Sequence, residues 1–149
     1  MFQELLEKIK TILQANTLLA HVQDWEEIQT DSDPFAIVVP SDNESDYYST
    51  QENERIYAFR IMIFASRNKK IRSPSNAESL MKQLIDTILD DIDKDYDLST
   101  LGAPVKTGYT FINFMATPSA WGYAMPDDQY RVATINVQAR VHVDVDAIT

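Results

Sequence analysis

The sequence predicts an α+β domain: a mainly antiparallel sheet of about 4–5 strands with two helices packed on one face, in the order α-β-β-β-α-β-β. Three observations carry this. Two stretches, one at the start and one in the middle, repeat apolar residues at helical spacing. The segments around 35–66 and 106–145 are instead rich in β-branched and aromatic residues, and the last alternates apolar with polar. Two helices are too few to sandwich a sheet as in a doubly wound fold, so they share one face. At 149 residues, 1–149 reads as a single domain, without an internal repeat or low-complexity tract.

Each element has its own reason. Phe2, Leu5, Leu6, Ile9, Ile12 and Leu13 fall on one face, with Glu4, Glu7, Lys8 and Lys10 off it, so 2–14 is an amphipathic helix. Leu18, Leu19 and Val22 lead into the fold. Trp25–Gln29 is expected as a short strand, and Asp31, Ser32, Asp33 and Pro34 as a turn. Phe35–Val39 is apolar at every position, which suits a strand covered on both faces and ended by Pro40. The polar run Ser41–Asn53 reads as an exposed loop or long hairpin tip. Glu54–Ser66 is a long central strand: Tyr57, Phe59, Ile61 and Ile63 share one face, and Ile56, Ala58, Met62 and Phe64 the other, which Arg60 interrupts.

Arg67–Arg72 (RNKKIR) is a short basic loop. Ser75-x-x-Glu78 reads as a capping box, in which the serine accepts a free helix N–H and the glutamate reaches back. It opens a helix over about 76–94 with Leu80, Met81, Leu84, Ile85, Ile88, Leu89 and Ile92 on one stripe. Lys106–Ala116 is expected as a strand and Thr117–Asp128 as a loop, because it holds two prolines and Gly122. In the final strand, about 129–145, Ala133, Ile135, Val137, Ala139, Val141, Val143 and Val145 alternate with polar residues. The sheet face without helices is polar along this strand and apolar along the third, so it calls for a partner.

Composition narrows the chemistry. Thirteen basic residues against 23 acidic ones leave a net charge of −10, so the chain has no general attraction to nucleic acid or an anionic membrane. Without cysteine there are no disulfides, thiolate metal sites or thiol catalysis. The two histidines, His21 and His142, do not supply a His-rich metal site, and no nucleophile or second base accompanies either. The three glycines form no phosphate-binding string. The acidic run Asp90, Asp91, Asp93, Asp95, Asp97 fails as a calcium loop: counted from Asp91, position six is Tyr96 and position twelve Gly102. It reads as a solvated helix end, with a cation or basic-partner surface as the alternative. No export signal or membrane-spanning run is present in the sequence, so the protein is expected to be soluble and to stay where it is made. The expectation is a protein that is no enzyme and holds no cofactor or metal. Its candidate subunit or partner contacts are Tyr47, Tyr48, Arg67, Lys69, Lys70, Arg72, Trp121, Tyr123 and Arg140.

The opening helix FQELLEKIKTIL, the strand ERIYAFRIMIFA, the capped helix SNAESLMKQLIDTILDDI and the ending YRVATINVQARVHV after a Trp-containing loop resemble the tail-terminator (tail-completion) proteins of long-tailed bacteriophages. The likeness is one of layout and covers nearly the whole chain. It implies a virion protein at the head-proximal end of the tail, assembled in the host cytoplasm. Such a protein forms a homohexameric ring that caps the tail tube, stops its polymerisation and presents the head–tail joining surface. The implied partners are further copies of the chain, the tail-tube protein and a head–tail connector or stopper. DNA passes the lumen without specific binding, which suits an acidic wall. Other readings are a different phage structural subunit (tail tube, baseplate or connector), or a cation-binding or enzymatic domain centred near Asp91.

Overall fold

The computed structural model describes residues 1–26, 32–41, 44–47, 52–124 and 129–148, with backbone alone at 44–47 and 52. Its elements are α1 (Phe2–Gln14), β1 (His21–Gln23), β2 (Phe35–Pro40), β3 (Glu44–Tyr47), β4 (Glu52–Ser66), α2 (Pro74–Lys94), β5 (Tyr109–Ala124) and β6 (Tyr130–Asp144), closed by a 3-10 turn at Val145–Ala147. The α+β class holds, with two helices and one sheet. The sheet is six-stranded, in the order β1-β2-β4-β6-β5, with β3 also on β4.

β4 is central, as its two apolar faces require. Fifteen β4 residues pair antiparallel with β6, from Glu52↔Asp144 to Ser66↔Tyr130, while β2 and β3 share its other edge. Odd-numbered residues of β4 and β6 face the helices. There Tyr57, Phe59, Ile61, Ile63, Ala133, Ile135, Val137 and Ala139 meet Leu5, Ile9 and Leu13 of α1 and Met81, Leu84 and Ile88 of α2 in one buried core. Phe2 anchors α1 by edge-on ring contacts, 4.8 Å from Tyr57 and 5.6 Å from Phe59. On the other face Phe35, Ile37, Val39 and Phe64 form a second, smaller core, with Phe35 stacked on Phe64 at 4.8 Å.

The structure departs from the sequence-based order in several places. The first described strand is His21–Gln23; of the expected strand Trp25–Gln29, Trp25 and Glu26 lie in a bend beyond it, and residues 27–29 lie outside the described residues. β1 also runs parallel to β2, so the sheet is mixed. Buried Gln23 holds this corner, its Nε2 donating to the Trp25 carbonyl at 2.9 Å. Glu26 then reaches Arg60 at 3.6 Å, on the face opposite the helices. The polar stretch 41–53 contains a further strand, β3, which makes the hairpin with β4. The α2 cap is Ser73, whose Oγ accepts from the Asn76 N–H at 3.1 Å, and not Ser75. Pro74 decides this: it lacks an N–H and suits the first helical position, which makes the preceding residue the cap. Finally, β5 begins at Tyr109 and runs through the expected loop to Ala124. As an edge strand it tolerates Pro118, and register shifts at Phe111/Asn113 and Pro118/Trp121 absorb the extra residues.

Candidate functional site

The end of the sheet where β4 stops gathers four side chains from three segments. After the shift at Pro118, β5 resumes pairing with Trp121 opposite Ala133 and Tyr123 opposite Arg131. The Arg131 guanidinium lies 5.0 Å from the Trp121 ring centre and 4.7 Å from that of Tyr123. Its Nη1 donates to the Gly122 carbonyl at 2.9 Å, and its Nε pairs with Glu78 of α2. Arg67, the first residue after β4, brings a second guanidinium to 4.7 Å from Tyr123, and its backbone N–H donates to the Gln129 carbonyl at 2.6 Å. Each such contact is worth about 0.5–1 kcal/mol at an exposed site. Together they hold the rings in place while leaving them in solvent: Trp121 is 42% and Tyr123 52% exposed.

The basic loop completes the patch. Asn68 organises it, accepting from the backbone N–H groups of Ile71 and Arg72 through its carbonyl and of Lys70 through Oδ1. Arg72 folds inward onto Asp33 and the Ser66 carbonyl. Lys69 and Lys70 stay exposed, and so does Ile71, at 57%. Exposed aromatics beside arginine are the composition of protein interfaces.

Of the residues marked in the sequence, the structure brings together Arg67, Lys69, Lys70, Arg72, Trp121 and Tyr123. Arg140 lies nine residues along β6 from Arg131, roughly 30 Å away, and pairs with the buried carboxylate of Glu54. Tyr47 is on β3, of which only the backbone is described, and Tyr48 lies outside the described residues. Sequence reasoning missed Arg131, gave Glu78 to a capping box where it in fact pairs with Arg131, and did not single out Ile71 within the basic loop. A signal existed for Arg131: it holds an odd, inward position in the alternation that Ala133 and Ile135 continue.

The remaining polar groups have structural work. Asp95, expected to be solvated, is buried and accepts from the N–H groups of Thr100 and Leu101 at 2.9 and 3.3 Å. Asp91 takes a 3.4 Å hydrogen bond from Asn16. His21 contacts Gln23 at 3.2 Å. Among the described residues no three His, Asp or Glu side chains are placed to hold a metal ion, and no helix is long and apolar enough to cross a membrane. No protein-family model matches the chain, and no curated protein matches it.

Proposed function

We propose that this chain is a structural subunit of a homo-oligomeric ring, acting as a phage tail terminator. It caps the tail tube, stops tube growth and offers the surface that joins tail to head, and it carries out no catalysis. The observation that supports this reading is the Trp121–Tyr123–Arg67–Arg131 cluster, in which two solvent-exposed rings lie on half-buried guanidinium groups at one end of a well-packed sheet. The net charge of −10 fits a ring wall past which DNA moves without being held. In this reading the partners are other copies of the chain, the tail-tube protein and a head–tail connector or stopper, and the site of action is the head-proximal end of the tail.

Electron microscopy of the purified protein tests the assembly: closed rings are expected, and a monomer at high concentration by light scattering counts against it. Deleting the coding sequence from the phage tests the role. Overlong tails are expected for a terminator, whereas tails of normal length that fail to join heads assign the chain to the neck.

A further inference from the structure

We propose that the Arg67–Arg72 loop, with Ile71, Trp121 and Tyr123 beside it, docks the acidic opposite end of a second copy of this chain, so that copies join head to tail. This rests on the homo-oligomeric reading above and specifies its contact.

The strand register fixes two poles. At one, Ser66, Tyr130 and Ala124 lie side by side and the basic loop follows directly. At the other, Glu52 pairs with Asp144, and β3 runs beside Asn53–Ile56. Along β4 these ends are roughly 45 Å apart. The first pole collects Arg67, Lys69, Lys70, Arg72 and Arg131. Asp33 and Glu78 answer Arg72 and Arg131, whereas Lys69 and Lys70 are exposed and form no ion pair among the described residues. The second pole carries Asp144 and Asp146, both exposed and outside any ion pair among the described residues. Of the cations near this pole, Arg140 pairs with Glu54, and Arg55 and Lys106 lie against the Tyr109 ring.

Complementary charge therefore selects the occupant. Two copies meeting by like poles repel, and by unlike poles attract. Ile71, Trp121 and Tyr123 add the apolar area that charge alone does not supply. A contact between unlike surfaces is heterologous: it repeats from copy to copy and closes into a ring when the rotation permits. A second place for a neighbour, the outer edge of β5, is blunted. The Phe114 N–H there is taken by the Tyr96 carbonyl at 2.6 Å, Pro118 has no N–H, and two register shifts bend the strand.

The test is sedimentation measured by analytical ultracentrifugation on the full chain and two charge-reversed variants, Lys69→Glu with Lys70→Glu and Asp144→Lys with Asp146→Lys. Far-UV circular dichroism checks that each is folded. Each variant alone is expected to weaken assembly roughly tenfold or more. An equimolar mixture is expected to restore it, because alternating copies then present opposite charges at every contact. Raising salt from about 0.1 to 1 M, which shortens screening from ~10 to ~3 Å, is expected to weaken the wild-type assembly. Wild-type oligomers that neither variant disturbs would overturn the head-to-tail contact and leave the oligomeric reading standing. A wild-type monomer at all concentrations overturns both. Binding of short duplex DNA that Lys69→Glu with Lys70→Glu abolishes, with the oligomer unchanged, assigns the basic pole to nucleic acid and also overturns the proposal.

Discussion

Arg72 and Asp33, thirty-nine residues apart in sequence, form an ion pair that fastens the approach to β2 to the end of β4. Their side chains are only 16% and 9% exposed. Asp33 also accepts from the Ser66 N–H at 2.8 Å, and Arg72 donates to the Ser66 carbonyl at 3.2 Å. Removing one partner strands the other away from water. Arg72→Ala is therefore expected to cost about 2–3 kcal/mol. Asp33→Ala is expected to cost more, because the Ser66 N–H loses its acceptor as well. Urea unfolding of both single variants and the double variant checks this, with a coupling of about 1–2 kcal/mol expected between the two sites.

The α2 cap separates two serines two residues apart. Ser73 Oγ satisfies the Asn76 N–H, whereas Ser75 is exposed beyond Pro74. Ser73→Ala is expected to cost about 1 kcal/mol, and Ser75→Ala to stay within about 0.5 kcal/mol of wild type. Thermal melts of the two variants side by side measure the difference. A larger loss in Ser75→Ala than in Ser73→Ala would place the cap at Ser75.

What the sequence made legible follows from what each side chain faces. α1 was readable because Leu5, Ile9 and Leu13 turn to one surface at helical spacing, and β6 because its apolar residues turn inward at every second position. β4 was readable as central because both its faces pack. β1 was not, since Gln23 is buried for its hydrogen bond and breaks the apolar pattern. Nor was the far half of β5, where Pro118 and Gly122 signal a loop by local preference but an edge strand with a register shift accommodates them. The site was half legible. Composition marked Trp121, Tyr123 and Arg67 one by one, yet only the register across Pro118/Trp121 sets them around Arg131. Arg140 has the same chemistry and lands at a different part of the sheet.

Gly108 and Gly102 both have positive φ, +83° and +88°, but differ in their surroundings. A Cβ on Gly108 would stand 3.1 Å from the Asp144 carbonyl and 3.2 Å from the Ile148 nitrogen, where the chain end crosses the start of β5. A Cβ on Gly102 meets nothing within 4 Å. Gly102→Ala is expected to cost about 1 kcal/mol from backbone strain alone. Gly108→Ala adds a backbone clash and threatens the 2.8 Å bond from the Asp144 N–H to its own carbonyl, for a total of about 2–3 kcal/mol. Hydrogen exchange at the Asp144 amide locates the damage: faster exchange is expected in Gly108→Ala and an unchanged rate in Gly102→Ala.

Asp97 closes the turn after α2, and its carboxyl is held below the ordinary value of 3.8. The Ser99 side chain is the largest cause, followed by the Ser99 backbone N–H, which donates to Oδ1 at 3.1 Å. Both hydrogen bonds favour the charged carboxylate. With a folded pKa below the unfolded one, the stabilisation is fully present above the unfolded value and is lost as the pH falls through the folded one. Ser99→Ala removes the side-chain donor and keeps the backbone donor. The Asp97 carboxyl is therefore expected to titrate at a higher pH in Ser99→Ala than in wild type, yet still below its ordinary value. Carbon-detected NMR titration of the Asp97 carboxyl measures both curves. Superimposed curves would assign the depression to the backbone N–H alone.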